Sequence, residues 1–242
     1  MRTLWRGLLF LLHLLSGALL SLAIALFQRP GKAYPAPGIR QWWHRRLCRL
    51  LGLELRIEGK PPATPMLIVA NHISWLDIPV LGSLMPVSFV SKQEVRHWPL
   101  IGWLAARSET LFIRRGSGQL EDLKRQMLEM IRRGNHVVLF PEGTTSNGES
   151  VRTFFPRLFG IALESGSPLQ PVALRYLQQG ALSRSAPYID EDRLLPHFLR
   201  VLRQDRIEVE IIFSAPLNDP NLDRKALARE SRQRILAALQ LD

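Results

Sequence analysis

The sequence predicts an α/β protein, with a mostly parallel central sheet flanked by helices and an N-terminal membrane-anchoring helical segment. Three observations lead there. From residue 53 onward, short apolar runs of strand character alternate with helical periodicities. Residues 7–27 contain no Asp, Glu, Lys or Arg. A chain of 242 residues, 46% of them hydrophobic, can bury a sizeable core unaided, and its one cysteine excludes an intramolecular disulfide framework or a cysteine-rich zinc site.

The apolar run 7–27 (GLLFLLHLLSGALLSLAIALF) comes first. As a helix it reaches about 32 Å at 1.5 Å per residue, the thickness of a bilayer core. Three readings stay open: a cleaved signal peptide with Ala23-Ile24-Ala25 as its small-x-small site, a spanning anchor, or a helix that enters one leaflet. Arg29, Lys32, Arg45 and Arg46 follow the run and disfavour export of what comes after. Pro30, Pro35 and Pro37 break the chain. Residues 38–51 then set Trp43, Leu47, Leu50 and Leu51 at helical spacing, with Arg40, Arg45, Arg46 and Arg49 over much of the rest. Trp and Arg on one helix suit a headgroup layer; the alternative is a surface helix packed on the domain. Residues 1–52 are thus expected as membrane-anchoring helices (apolar 7–27, basic amphipathic 38–51), and 53–242 as the α/β domain.

The charge supports this division. Residues 1–60 hold ten Lys/Arg and two acids, a net of +8 out of +11 for the chain. The remainder is only mildly basic. Positive charge beside the most apolar stretch points to anionic membrane lipids as partner, and not to nucleic acid.

Within the domain, residues 53–58 alternate apolar and polar, as a strand with one solvated face does. Residues 66–70 form a continuous apolar run, a strand buried on both faces. Residues 87–91 and 110–113 read as further strands. Leu120, Leu123, Met127, Met130 and Ile131 repeat at helical period and stop at Gly134. Residues 136–140 and 169–174 read as buried strands, 207–213 alternate again, and 224–241 form an amphipathic helix. Residues 178–206 carry no clear pattern.

Two buried strands end in polar loops, where α/β sheets place their sites. The first runs into Asn71-His72-Ile73-Ser74-Trp75-Leu76-Asp77. On a continuous helix, residues five apart diverge by about 140°. If the backbone turns between them, Asp77 can accept from one imidazole nitrogen of His72 and free the other to take a proton from a hydroxyl. Equally, His72 can be structural and Ser74-x-x-Asp77 a capping box. The second strand runs into Pro141-Glu142-Gly143-Thr144-Thr145-Ser146. Its amides could face an anion, and Glu142 is either a cap or a group that positions a polar substrate.

Taken together, the two loops resemble the glycerolipid acyltransferases, the 1-acyl-sn-glycerol-3-phosphate acyltransferase family. His72-x4-Asp77 is similar to its first motif, Leu111-Phe112-Ile113-Arg114-Arg115 to its second, Phe140-Pro141-Glu142-Gly143-Thr144-Thr145 to its third, and Pro168-Leu169-Gln170-Pro171-Val172-Ala173 to its fourth. Lys92 followed by Pro99-Leu100-Ile101-Gly102 matches a further family feature. Order and spacing agree over about residues 55–175. Two departures stand out: Thr145 where the third motif has arginine, and Glu109 where the second often has glycine.

The resemblance implies acyl transfer from acyl-carrier protein or acyl-CoA to the free hydroxyl of a lysolipid acceptor. His72 is the base and Asp77 its holder. Glu142, Gly143 and Thr144 position the head group, Arg115 pairs with the acceptor phosphate, and Arg114 and Lys92 stand beside it. No metal or other cofactor is expected, and Cys48, outside every motif, is rejected as a nucleophile. Because Arg115 is kept, the acceptor expected first is 1-acyl-sn-glycerol-3-phosphate. Lyso-ornithine lipid acyltransferases share the scaffold and are the alternative, since Thr145 weakens the case for a phosphate. The expected location is the inner (cytoplasmic) membrane, with the catalytic domain on the cytoplasmic side. A non-catalytic membrane-binding module leaves both loops unexplained. A serine hydrolase lacks its Gly-x-Ser-x-Gly elbow.

Overall fold

The computed structural model describes residues 2–27, 37–98, 100–114, 120–219 and 221–241. Two helices open the chain, α1 (Arg2–Phe27) and α2 (Pro37–Leu50). The strands are β1 (Leu53–Glu58), β2 (Leu67–Ala70), β3 (Val87–Lys92), β4 (Leu111–Ile113), β5 (His136–Leu139), β6 (Leu169–Gln178), β7 (Ala181–Leu182) and β8 (Ile207–Phe213). The other helices are α3 (Asp77–Leu84), α4 (Ile101–Arg107), α5 (Leu120–Arg132), α6 (Gly160–Ser165), α7 (Leu194–Leu202) and α8 (Arg224–Leu239).

The sheet runs β1-β8-β6-β2-β5-β3-β4, with β7 paired to β6. Neighbours are parallel except where β6 meets β7 and β8. The mostly parallel sheet expected from the sequence is therefore present. In β2, Ile68 and Ala70 face one layer, which includes Leu51, Leu81 and Val201. Leu67 and Val69 face the other, which includes Met127 and Ile235. Burial on both faces is why this segment is uniformly apolar.

The first two helices pack on this body. Leu47 and Cys48 of α2, with Leu51 just beyond it, lie in the core. The Arg6 guanidinium of α1 donates to Leu50 O at 3.0 Å and Leu202 O at 2.9 Å. His13 stacks on Trp43 with ring centroids 4.5 Å apart, and its Nε2 lies 3.1 Å from Trp43 O. The opposite side of α1 exposes Leu8, Leu11, Leu12, Leu15, Leu19 and Leu22. Arg29, Lys32, Pro30 and Pro35 lie outside the described residues.

Several elements were not legible in advance: α4, α6, α7, and a 3-10 turn at Gln93–His97. All are short, so few periods of pattern exist to read. The expected Pro-x-x-Gly feature has a steric basis at Gly102. A Cβ there would sit 2.3 Å from Arg96 O and 2.5 Å from Val95 O, both backbone atoms. Gly102→Ala is expected to cost about 1–3 kcal/mol by overpacking. That should lower Tm by roughly 2–4 °C per kcal/mol in a thermal melt.

The Glu109 departure also has a local explanation. Its φ of 60° is the left-handed region that favours glycine. The side chain recovers contacts a glycine would lack: its carboxylate accepts from Arg40 at 2.7 Å and Asn135 at 3.1 Å. This ties α2 to the approach to β4.

Candidate active site

β2 delivers the chain into the site at Asn71. The Asn71 side chain donates to Leu174 O at 2.9 Å and accepts from Leu174 N at 2.8 Å, so the loop starts pinned to β6. The backbone then turns, and α3 begins only at Asp77. That turn brings His72 Nδ1 to 2.7 Å from Asp77 Oδ2. The same oxygen accepts from Ile73 N at 2.8 Å and Ser74 N at 3.0 Å. Half of the expected capping box forms: Asp77 accepts from Ser74 N, but Ser74 Oγ is buried without a partner among the described residues.

Asp77 is fully buried, whereas His72 opens on a cavity of about 1900 Å³. The imidazole stacks on Phe140, centroids 4.1 Å apart and planes 15° off parallel. Phe140 in turn stacks on Phe89. Among the described residues, no hydrogen bond engages Nε2, and no serine or cysteine pairs with it. The result is a base with its tautomer fixed on one side and its other nitrogen open to an external proton.

The second loop closes against the first through Glu142, which is 3% exposed. Its Oε1 accepts from His72 N at 2.8 Å and its Oε2 from Arg152 N at 3.1 Å. Burial pushes its pKa up to about 6, and the two amide bonds act the other way. Both carboxylate oxygens accept from backbone, so Glu142 orders the two loops, and it does so at the wall of the cavity. The amides also serve the loops: Gly143 N donates to Phe140 O at 3.2 Å and Ser146 N to His72 O at 2.8 Å.

Thr144 is exposed at the cavity wall, as are Lys92 at the end of β3 and Arg114 after β4. Thr145 turns its hydroxyl to Tyr188 O, where it donates a hydrogen bond. Arg115 and Pro99 lie outside the described residues. Cys48 is buried in α2, and burial pushes its thiol up to about 12, so it carries no thiolate at neutral pH. Apolar residues dominate the cavity lining, among them Leu47, Ile78, Met85, Val87 and Leu104.

Two contributors escaped sequence reading. Asn71 stood in the quoted motif, but its bonds to β6 cross 103 residues of chain. Tyr176, past the apolar run 169–174, donates to Asp77 Oδ1 at 2.7 Å. Only the neighbouring strand order reveals either one.

A histidine held by a buried carboxylate and open to a large, mostly apolar cavity has the geometry to take a proton from a bound hydroxyl. The acyltransferase family model matches residues 54–175, the span containing all four motifs. The chain is 49% identical over 201 residues to the lyso-ornithine lipid O-acyltransferase of Pseudomonas aeruginosa, covering 83% of this chain and 78% of that one. It is 33% identical over 169 residues to the 1-acyl-sn-glycerol-3-phosphate acyltransferase of Neisseria gonorrhoeae, covering 68% and 66%. The fold matches the crystal structure of the 1-acyl-sn-glycerophosphate acyltransferase of Thermotoga maritima with a TM-score of 0.75, over 99% of this chain and 93% of that one, at 20% identity. The chain belongs to the acyltransferase family, and within it to the lysolipid O-acyltransferases related to the 1-acyl-sn-glycerol-3-phosphate enzymes.

Proposed function

We propose that the protein transfers a fatty acyl group from acyl-carrier protein or acyl-CoA to the free hydroxyl of a lyso-ornithine lipid. His72 Nε2 takes the hydroxyl proton, and Asp77 stabilises the imidazolium that results. The alkoxide attacks the thioester carbonyl, the thiolate departs, and His72 returns the proton to it. No acyl-enzyme is needed.

Similarity carries the choice of acceptor: 49% identity over most of the chain to an enzyme named for that lipid, against 33% over less of it for the phosphate enzyme. Thr145 agrees, since its side chain supplies no guanidinium and is turned to Tyr188 O. The cavity wall also carries both signs of charge, Arg152 and Arg157 with Asp190. A head group with a carboxylate and an ammonium can use both, whereas a phosphate is repelled by the carboxylate. The second reading, 1-acyl-sn-glycerol-3-phosphate, rests on the paired Arg114-Arg115 of the second motif.

We place the enzyme at the cytoplasmic surface of the inner membrane, with α1 in one leaflet. The α1 segment Thr3–Ile24 is long and apolar enough to cross a membrane by length and composition. Its attachment to α2 and α7 through Arg6 and His13 favours lying in the interface with the leucine face toward lipid. Trp42, with Arg46 over its ring, and Arg49 then meet anionic head groups.

The test is acyl transfer by purified protein to the two lysolipids in parallel. We expect kcat/KM at least about tenfold higher with lyso-ornithine lipid, the worth of one charge-assisted contact. A preference for lysophosphatidic acid would install the second reading.

A further inference from the structure

Among the described residues Asp77 makes four hydrogen bonds, and they divide unequally between its oxygens. Oδ2 receives His72 Nδ1, Ile73 N and Ser74 N, all from the loop that carries the base. Oδ1 receives one, from the phenol of Tyr176 on β6, at 2.7 Å. Residues 72–74 and the carboxylate therefore hold each other in place, and none of those three bonds ties the pair to the sheet. Tyr176 supplies that tie. It is 2% exposed and lies between neighbours in the middle of the sheet. Two residues earlier on the same strand, Leu174 holds the Asn71 side chain through both of its backbone groups. Leu174 and Tyr176 share a face of β6, so one strand fixes the loop ahead of the base and the carboxylate behind it.

We propose that Tyr176 is a positioning residue for the transfer reaction: its hydroxyl fixes the position of the Asp77 carboxylate, and through it the orientation of His72. Without the phenol, Oδ1 is buried and loses its tie to β6, and the carboxylate with the loop bonded to Oδ2 can shift against the sheet. His72 then follows Oδ2, and Nε2 no longer meets the substrate hydroxyl at a productive angle. Burial and the adjacent Asp77 charge keep the phenol protonated, so it serves as a standing donor. The role is independent of which lysolipid is acylated, because it acts on the base and not on the head group.

The test is Tyr176→Phe in the full chain, which keeps the ring in the core. Loss of one hydrogen bond to a charged group implies that kcat falls about 10- to 100-fold. KM for donor and acceptor should each stay within about twofold, since no head-group contact changes. Proton NMR of histidine-labelled protein supplies a readout that packing alone does not move: the low-field His72 Nδ1 proton is displaced in Tyr176→Phe. Ile211→Val, a core change on β8 with comparable loss of Tm, should leave that proton and kcat per folded molecule in place. A Tyr176→Phe enzyme with wild-type kcat would overturn the proposal. So would one whose activity falls only in step with its folded fraction while the Nδ1 proton stays put. If the Phe protein does not fold, 3-fluorotyrosine at position 176 keeps the shape and sharpens the donor. It should displace the proton at unchanged Tm, and an unmoved proton overturns the idea.

Discussion

Replacing His72 with Ala should leave a folded protein that has lost about 10²–10⁴ of its kcat, the usual worth of a general base. Folding should survive because the imidazole opens on the cavity, and the backbone bonds of residues 72–74 to Glu142 and Asp77 do not need it. Asp77→Asn should cost a similar factor by a different route. The Asn amide group can face His72 as a donor, which forces the wrong tautomer and protonates Nε2. It also places an N–H against one of the amides of Ile73 and Ser74, so Asp77→Asn should lower Tm where His72→Ala does not. Steady-state kinetics paired with thermal melts separates the two variants. An Asp77→Asn enzyme with near-normal turnover would show that the carboxylate merely caps the loop.

Glu142→Gln is expected to be the next most damaging change. The carboxylate joins the backbone of the base to that of Arg152, and a glutamine can accept from only one of them with its oxygen. Leaving a buried amide facing an N–H costs about 1–3 kcal/mol. Whichever amide is left without an acceptor, the bridge between the loop of His72 and Arg152 is broken, and we expect kcat to drop roughly 10- to 100-fold through misplacement of the imidazole. The pH dependence has two parts of opposite sign. The folded-state pKa is raised from 4.5 to about 6 by burial, so protonation favours the folded form. That contribution to stability is complete below about pH 4.5 and disappears as pH rises through about 6. Activity runs the other way, because a protonated oxygen turns an O–H toward an amide N–H and loosens the loop. Wild-type kcat should therefore fall as pH drops through about 6. In Glu142→Gln this group no longer titrates, so its share of both trends should vanish. A Gln variant with wild-type kcat, or with an unaltered stability profile between pH 4.5 and 6, would contradict this role.

What the sequence reveals and what it hides follow from the range of each interaction. β2 and β5 are buried on both faces, so their composition is visible without knowing their neighbours. The His72–Asp77 pair spans five residues, and only the presence of a turn between them had to be supposed. Glu142 was legible as important but not as a bridge, because its two partners lie 70 residues before it and 10 after it. Tyr176 is 99 residues from Asp77, and its place depends on β6 lying next to β2, a fact of topology that periodicity does not carry. The basic helix shows a different limit. Its arginines and tryptophans read as a lipid surface, and three of those arginines, Arg45, Arg46 and Arg49, are exposed. Yet Arg40 serves Glu109 and Asn135, and Leu47 and Cys48 complete the core. A helix with two occupied faces shows both in composition without saying which residue belongs to which.

The central claim is direct transfer: His72 activates the lysolipid hydroxyl, and the acyl group never rests on the protein. Intact-protein mass spectrometry tests it, first with acyl thioester alone and then with lysolipid added. Direct transfer leaves the protein unmodified in both samples, with acylated lipid appearing only in the second and not with His72→Ala. A protein that gains one acyl group from the thioester alone, and gives it up when lysolipid arrives, would contradict it.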